Sequence, residues 1–142
     1  MILEGFEALK SFLEEPRNIV IVGHRNPDGD AMGSSLALKH YLDKKEHKAT
    51  VVVPNEYPDF LHWLPGSETT YRFDWQNSQS QRAIKASEII FLLDFNALHR
   101  VGSDMQKTLE KYPNDFVMID NRTNTFPKND TKLVELLCDR KF

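Results

Sequence analysis

Apolar residues along this chain follow two rhythms. Ile2, Phe6, Leu9 and Leu13 recur at helical spacing, with Glu4, Glu7, Lys10 and Glu14 between them. That predicts an amphipathic first helix, stopped by Pro16. The rhythm then changes: Ile19 to Val22 is an uninterrupted apolar run inside Asn18 to Gly23, which predicts a strand buried on both faces. Ala31 to Asp43 predicts a second helix, and Ala49 to Val53 a second strand halted by Pro54. Residues 55–66 hold Tyr57, Phe60, Trp63 and Leu64, an aromatic cluster expected to pack against the sheet rather than to line a ligand pocket. Tyr71 to Phe73 predicts a short strand, and Asp74 to Ala86 a helix with a polar start. Glu88 to Leu93 and Asp115 to Ile119 read as two more buried strands, with a helix over Ser103 to Tyr112 between them. Asn121 to Asp130 reads as polar loop, and Thr131 to Asp139 as a final helix.

Strands alternate with helices, and they are continuous apolar runs. The expected fold is therefore α/β, a three-layer sandwich with a mainly parallel sheet covered on both faces. At 142 residues the chain suits one domain, large enough to bury roughly two-thirds of its unfolded surface. A net charge of −3 gives no overall electrostatic case for tight duplex DNA binding, while short or single-stranded substrates stay open. The single Cys138 fits a reducing cytoplasm and reads as a buried filler. No apolar run approaches the length of a membrane-spanning helix, and the N-terminus lacks a basic-then-apolar signal pattern. His40 and His47 fall near the exposed end of the second helix and are expected to be solvated.

The chemistry concentrates in His24-Arg-Asn-Pro-Asp28-Gly-Asp30-Ala-Met-Gly33-Ser34, between the first strand and the second helix. Open α/β sheets place ligands on such loops, at the carboxyl ends of strands. One imidazole with two carboxylates suits Mn²⁺ or Mg²⁺. Each residue also has a plain structural role: Pro-Asp-Gly as turn chemistry, Asp30 as a helix cap, His24 as a backbone-bonded histidine. Two further predicted strands end in Asp94 and Asp120, so a parallel sheet would bring these carboxylates to one edge. Clustered carboxylates repel one another without a cation, and a pair of divalent metals would relieve that and activate a water toward a phosphoester or phosphoanhydride. Gly33 and Ser34 open the second helix, whose N-terminus could hold a phosphate oxygen; for Gly33, close helix–strand packing explains the glycine equally well.

His24-x-Asn26-Pro27-Asp28-Gly29-Asp30-Ala31-x-Gly33-Ser34 resembles the first motif of the DHH phosphoesterase superfamily. Leu93-Asp94-Phe95-Asn96 with Arg100 resembles its second motif, and Val117-Met-Ile-Asp120 the approach to its third. The resemblance spans residues 17 to 122, and the whole chain is similar to the amino-terminal half of bacterial nanoRNase-like proteins. It implies a Rossmann-like DHH domain that is manganese-dependent and hydrolyses phosphoesters of a short oligonucleotide or nucleotide. Exopolyphosphatases belong to the same superfamily. His24 and Asp28 would bind one metal, Asp30 the other, and Asp94 both. Asp30, Asp94 and Asp120 become the candidate catalytic residues, and Ser34, Arg100, Asn121 and Arg122 the candidate substrate contacts.

The chain departs from the pattern at its third motif. Asp120-Asn121-Arg122 lacks both family histidines, of which the resemblance makes the first a metal ligand and the second a phosphate contact. Arg122 can still pair with phosphate. The fourth motif and the carboxy-terminal substrate-binding domain are not in the sequence, so residues 1–142 are expected to form a single, incomplete DHH-type domain. Weak or absent turnover follows, as a truncated or degenerate relative or a gene error near residue 121 would produce. Apolar surface left without that second domain would favour a homodimer. A non-catalytic nucleotide- or metal-binding module is the alternative. A Rossmann dinucleotide site is disfavoured because no Gly-x-Gly-x-x-Gly follows a predicted strand. A receiver-like acidic pocket fits the His24-x3-Asp28-x-Asp30 spacing less well than two metals do.

Overall fold

A computed structural model describes residues 5–95, 97–119 and 133–135. Among the described residues six strands form one sheet: β1 (Asn18–Val22), β2 (Lys48–Val53), β3 (Tyr71–Arg72), β4 (Ile89–Leu93), β5 (Asp115–Ile119) and β6 (Leu133–Glu135). Their spatial order is β3-β2-β1-β4-β5-β6, and every neighbouring pair is parallel. Helix α1 (Gly5–Phe12) precedes β1, and α2 (Gly29–Lys44), α3 (Asn77–Ala86) and α4 (Ser103–Glu110) connect β1 to β2, β3 to β4 and β4 to β5.

The apolar runs explain the layering. Side chains alternate across a strand, so a continuous apolar run supplies two cores. Ile19, Ile21, Val51, Val53, Ile89, Phe91 and Val117 point to one face, against Leu9 of α1 and Met32, Leu36 and Leu42 of α2. Val20, Val22, Val52, Ile90, Leu92, Phe116 and Met118 point to the other, against Ile84 of α3 and Met105 and Leu109 of α4. This is the expected three-layer α/β sandwich. Among the described residues no helix is long and apolar enough to cross a membrane.

Topology decides where a ligand can sit. The chain leaves β1 toward β2 and β3, then returns to the other side of β1 for β4, β5 and β6. The order reverses between β1 and β4, which opens a crevice beyond their carboxyl ends. His24 follows β1 and Asp94 follows β4, so both stand at that reversal.

Several expectations are corrected. Within the predicted final helix, Thr131 to Asp139, residues 133–135 form β6, in register with Phe116 to Met118; the rest of that segment lies outside the described residues. An open backbone edge on β5 and a β-branched Val134 outweigh local helical spacing. His47 is buried rather than solvated, because its Nδ1 accepts the backbone N–H of Arg17 at 3.1 Å. The aromatic segment divides: Tyr57 is buried as expected and Leu64 packs half-buried against the same core, whereas Phe60 and Trp63 are 70% and 75% exposed. A short 3-10 turn over Asp59–Leu61 points successive side chains in different directions, so one face cannot take all the aromatics. Finally, α3 begins at Asn77, because Asp74 pairs with Arg72 at 3.1–3.2 Å in the preceding turn.

Candidate metal centre

The loop from Gly23 to Asp28 positions two donors. His24 is the first side chain beyond β1 on a nearly buried spot, only 8% exposed. Its Nδ1 lies 2.8 Å from the carbonyl of Arg25. A carbonyl only accepts, so Nδ1 carries the proton and Nε2 presents its lone pair in the neutral ring. Nε2 faces Asp94 Oδ2 at 3.5 Å and Asp28 Oδ1 at 3.9 Å. Both distances exceed those of a good hydrogen bond. The three donor atoms all lie within 4.8 Å of one another, a spacing that leaves room for a cation between them. One imidazole nitrogen and two carboxylate oxygens, with the far ring nitrogen fixed by a carbonyl, fit a divalent transition metal.

Asp28 does two things at once. It caps α2, Oδ1 accepting the N–H of Ala31 at 2.9 Å, and the same oxygen faces His24. The capping role expected of Asp30 therefore falls to Asp28, because α2 already begins at Gly29, and it does not compete with ligation, since a carboxylate oxygen has two lone pairs. Asp94 pays for its position in backbone conformation. Its φ is 65°, in the left-handed region, which costs a non-glycine residue about 1–2 kcal/mol. The N–H of Asp94 donates to the carbonyl of Ile119 at 3.0 Å and holds that turn at the end of β4.

Asp30 is exposed and stands outside the three-donor cluster, but it lines a cavity of about 390 Å³ together with Asp94, Gly29, Gly33, Ser34, Leu93 and Ile119. Asp94 thus borders both the cluster and the cavity. A Cβ built on Gly33 meets no atom within 4 Å, so helix–strand packing does not require this glycine. Ser34 lines the same cavity, with its hydroxyl donating to the carbonyl of Asp30 at 2.6 Å. Arg100 lies in a 3-10 turn after β4, where its carbonyl accepts the N–H of Arg25 at 2.7 Å. Asp120, Asn121 and Arg122 lie outside the described residues, as does Cys138.

A model of the DHH family, N-terminal domain, matches residues 18–138. The chain belongs to the DHH family. It is similar to an exopolyphosphatase-related protein from Bacteroides fragilis of known structure, with a TM-score of 0.83 and 36% identity, over 92% of this chain and 37% of that one. It is 33% identical over 91 residues to a probable manganese-dependent inorganic pyrophosphatase of Enterococcus faecalis, covering 61% of this chain and 27% of that protein. Cyclic-di-AMP phosphodiesterase GdpP of Bacillus subtilis is 25% identical over 116 residues, 80% of this chain and 18% of that protein. The chain therefore spans well under half the length of each of these relatives. A stretch of 29 residues is 62% identical to diaminopimelate epimerase of Flavobacterium psychrophilum, but it covers 20% of this chain and 11% of that enzyme, too little to show a shared family.

Asn26 stands in the first motif without an assigned role, and Asn55 was not apparent as a site residue from local pattern. Asn55 is 29 positions from Asn26, yet the two exchange hydrogen bonds beside the cluster. No local spacing announces such a pair; only the adjacency of β1 and β2 does.

Proposed function

We propose that this DHH domain is a metal-dependent phosphoesterase module that takes Mn²⁺, or Mg²⁺, and acts on the phosphate of a short oligonucleotide or nucleotide. The observation that carries this reading is the convergence of His24 Nε2, Asp28 and Asp94 at the sheet's switch point. Relatives named for pyrophosphate, cyclic-di-AMP and polyphosphate chemistry share attack on phosphorus, which supports the reaction class.

A bound divalent cation would supply a Lewis acid, charge neutralisation and an activated water. The chain's own residues account for the rest. His24, Asp28 and Asp94 would hold one cation, and Asp30 with Asp94 a second across the cavity. The carboxylates repel an anionic phosphate until they are neutralised, so substrate entry depends on metal loading. Gly33 leaves the cavity wall without a side chain, so a phosphate can approach the first turns of α2, where the helix dipole favours negative charge. Ser34 lines this cavity; Arg100 and Arg122 are the proposed phosphate partners, Arg122 in place of a family histidine. Asp120 would complete the acidic edge.

With Asn121 and Arg122 standing where the family pattern has histidines, the second cation is held less well, and turnover is expected to be weak. A lost ligand or its support costs on the order of 10- to 100-fold. The same two residues favour the second reading, a binding module that retains the metal and the phosphate site without turnover. Mn²⁺-dependent hydrolysis of a short oligoribonucleotide, with pyrophosphate alongside, separates them. Turnover that disappears in Asp94→Ala supports the enzyme. Stoichiometric Mn²⁺ binding with no turnover on either substrate supports the module. No Mn²⁺ binding at all defeats both.

A further inference from the structure

Between the two donors of the β1 loop the backbone makes an unusual turn. Asn26 has a φ of 54° and precedes Pro27, which is buried. Asparagine tolerates the left-handed region better than most residues, but a residue before proline prefers an extended backbone. Left alone, this loop would relax toward that extended form and carry Asp28 away from His24.

Two neighbouring strands hold it. Directly beyond β2, Asn55 makes a reciprocal amide pair with Asn26: the Asn26 backbone N–H donates to Asn55 Oδ1, and Asn55 Nδ2 donates to Asn26 Oδ1, both at 2.7 Å. From beyond β4, the carbonyl of Arg100 accepts the N–H of Arg25, also at 2.7 Å. The stretch between the two donors is thus pinned to the loops on either side of it. Asn55 is the only one of these contacts made by a side chain from a distant element, and its two bonds go to the residue with the strained φ.

We propose that Asn55 is a positioning residue of the metal centre: it holds Asn26 in the left-handed conformation that keeps Asp28 beside His24 Nε2. This rests on the metal-site reading given above. Asn55 acts through Asn26 and touches neither donor. Because Asn26 is exposed and Asn55 only half-buried, losing the pair leaves no buried group unsatisfied, and the global stability should hardly change.

The test is a double-mutant cycle on the full chain with Asn55→Ala, Asn26→Gly and the double variant, read by calorimetric Mn²⁺ titration, thermal unfolding and amide exchange of Asn26. Asn55→Ala is expected to weaken Mn²⁺ binding about tenfold at nearly unchanged Tm. The loss should shrink when Asn26 is already glycine, as it must for residues acting together. Exchange at the Asn26 amide should speed up in Asn55→Ala in the metal-free protein. Wild-type Mn²⁺ affinity in Asn55→Ala, or fully additive losses, overturns the proposal. Should the wild type bind no Mn²⁺, the metal reading itself fails, and the exchange result still decides the clamp: faster exchange supports it, unchanged exchange overturns it. Asn55→Ser serves if Asn55→Ala does not fold.

Discussion

Two clusters in this molecule have the same composition and opposite character. His24, Asp28 and Asp94 gather beyond β1 and β4; Glu56, Asp59 and His62 gather on the segment after β2. Each offers one imidazole and two carboxylates within 4.8 Å. In the first, the imidazole is buried, its tautomer is fixed by the Arg25 carbonyl, and one carboxylate is held by a strained backbone at a strand end. In the second, all three residues are exposed, His62 stacks on Tyr57 at 4.5 Å, and the supporting structure is a single 3-10 turn. Ligand type and spacing therefore do not separate the two clusters. A rigid scaffold and an oriented lone pair do, because they reduce the entropy and reorganisation that binding would otherwise cost.

The largest expected effect separates the clusters directly. Asp94→Ala should weaken Mn²⁺ binding by about 100-fold, while the triple variant Glu56→Gln, Asp59→Asn, His62→Gln should bind as the wild type does. Calorimetric titration of both variants checks this, and equal losses would erase the distinction.

Strain sharpens the contrast. Asp94→Gly removes both the carboxylate and the left-handed penalty, so it should weaken Mn²⁺ binding as much as Asp94→Ala does yet stabilise the metal-free fold by about 1 kcal/mol. Denaturant unfolding without metal reads the sign. A loss of stability would show that the turn is not strained.

Gly33 offers a similar reversal at the cavity wall. Glycine in a helix interior costs about 1 kcal/mol relative to alanine, and no side chain packs against this one. Gly33→Ala should raise Tm and lower hydrolysis or phosphate-ligand affinity by about tenfold, through loss of room rather than of a contact. Unchanged affinity would mean that the phosphate approaches elsewhere.

The smallest effect concerns the exposed cluster's support. Burial pushes the Tyr57 phenol above its ordinary value of 10.0, as it does for Tyr112. The folded state thus holds these protons more tightly than the unfolded chain. Their contribution is complete below pH 10 and is lost as pH rises through the folded values. Urea melts at pH 9 and 11 should show that alkaline loss, reduced in Tyr57→Phe. At neutral pH Tyr57 adds no charge beneath His62; the cation beside this cluster is Arg72, 3.8 Å from Glu56.

Much of this was readable in the chain because it is local. The continuous runs Ile19–Val22, Ile89–Leu93 and Phe116–Ile119 can bury both faces only in a covered parallel sheet. His24 and Asp28 are four residues apart on one turn, and Asp94 closes a strand, so topology alone brings them together. What was not readable depends on contacts between distant segments. The Asn26–Asn55 pair joins two strand ends, the burial of His47 depends on Arg17 across the sheet edge, and β6 forms because β5 offers an open edge. Phe60 and Trp63 look like core by composition and stay exposed because of the turn that carries them.

The central claim is that His24 Nε2 and the two carboxylates beside it hold the metal. Electron spin echo spectroscopy of stoichiometric Mn²⁺ tests it most directly, since it detects nitrogen coupled to the ion. The account predicts coupling to one imidazole nitrogen that vanishes in His24→Gln and survives in His62→Gln. Coupling that survives in His24→Gln and disappears in His62→Gln would place the metal on the exposed cluster and contradict it.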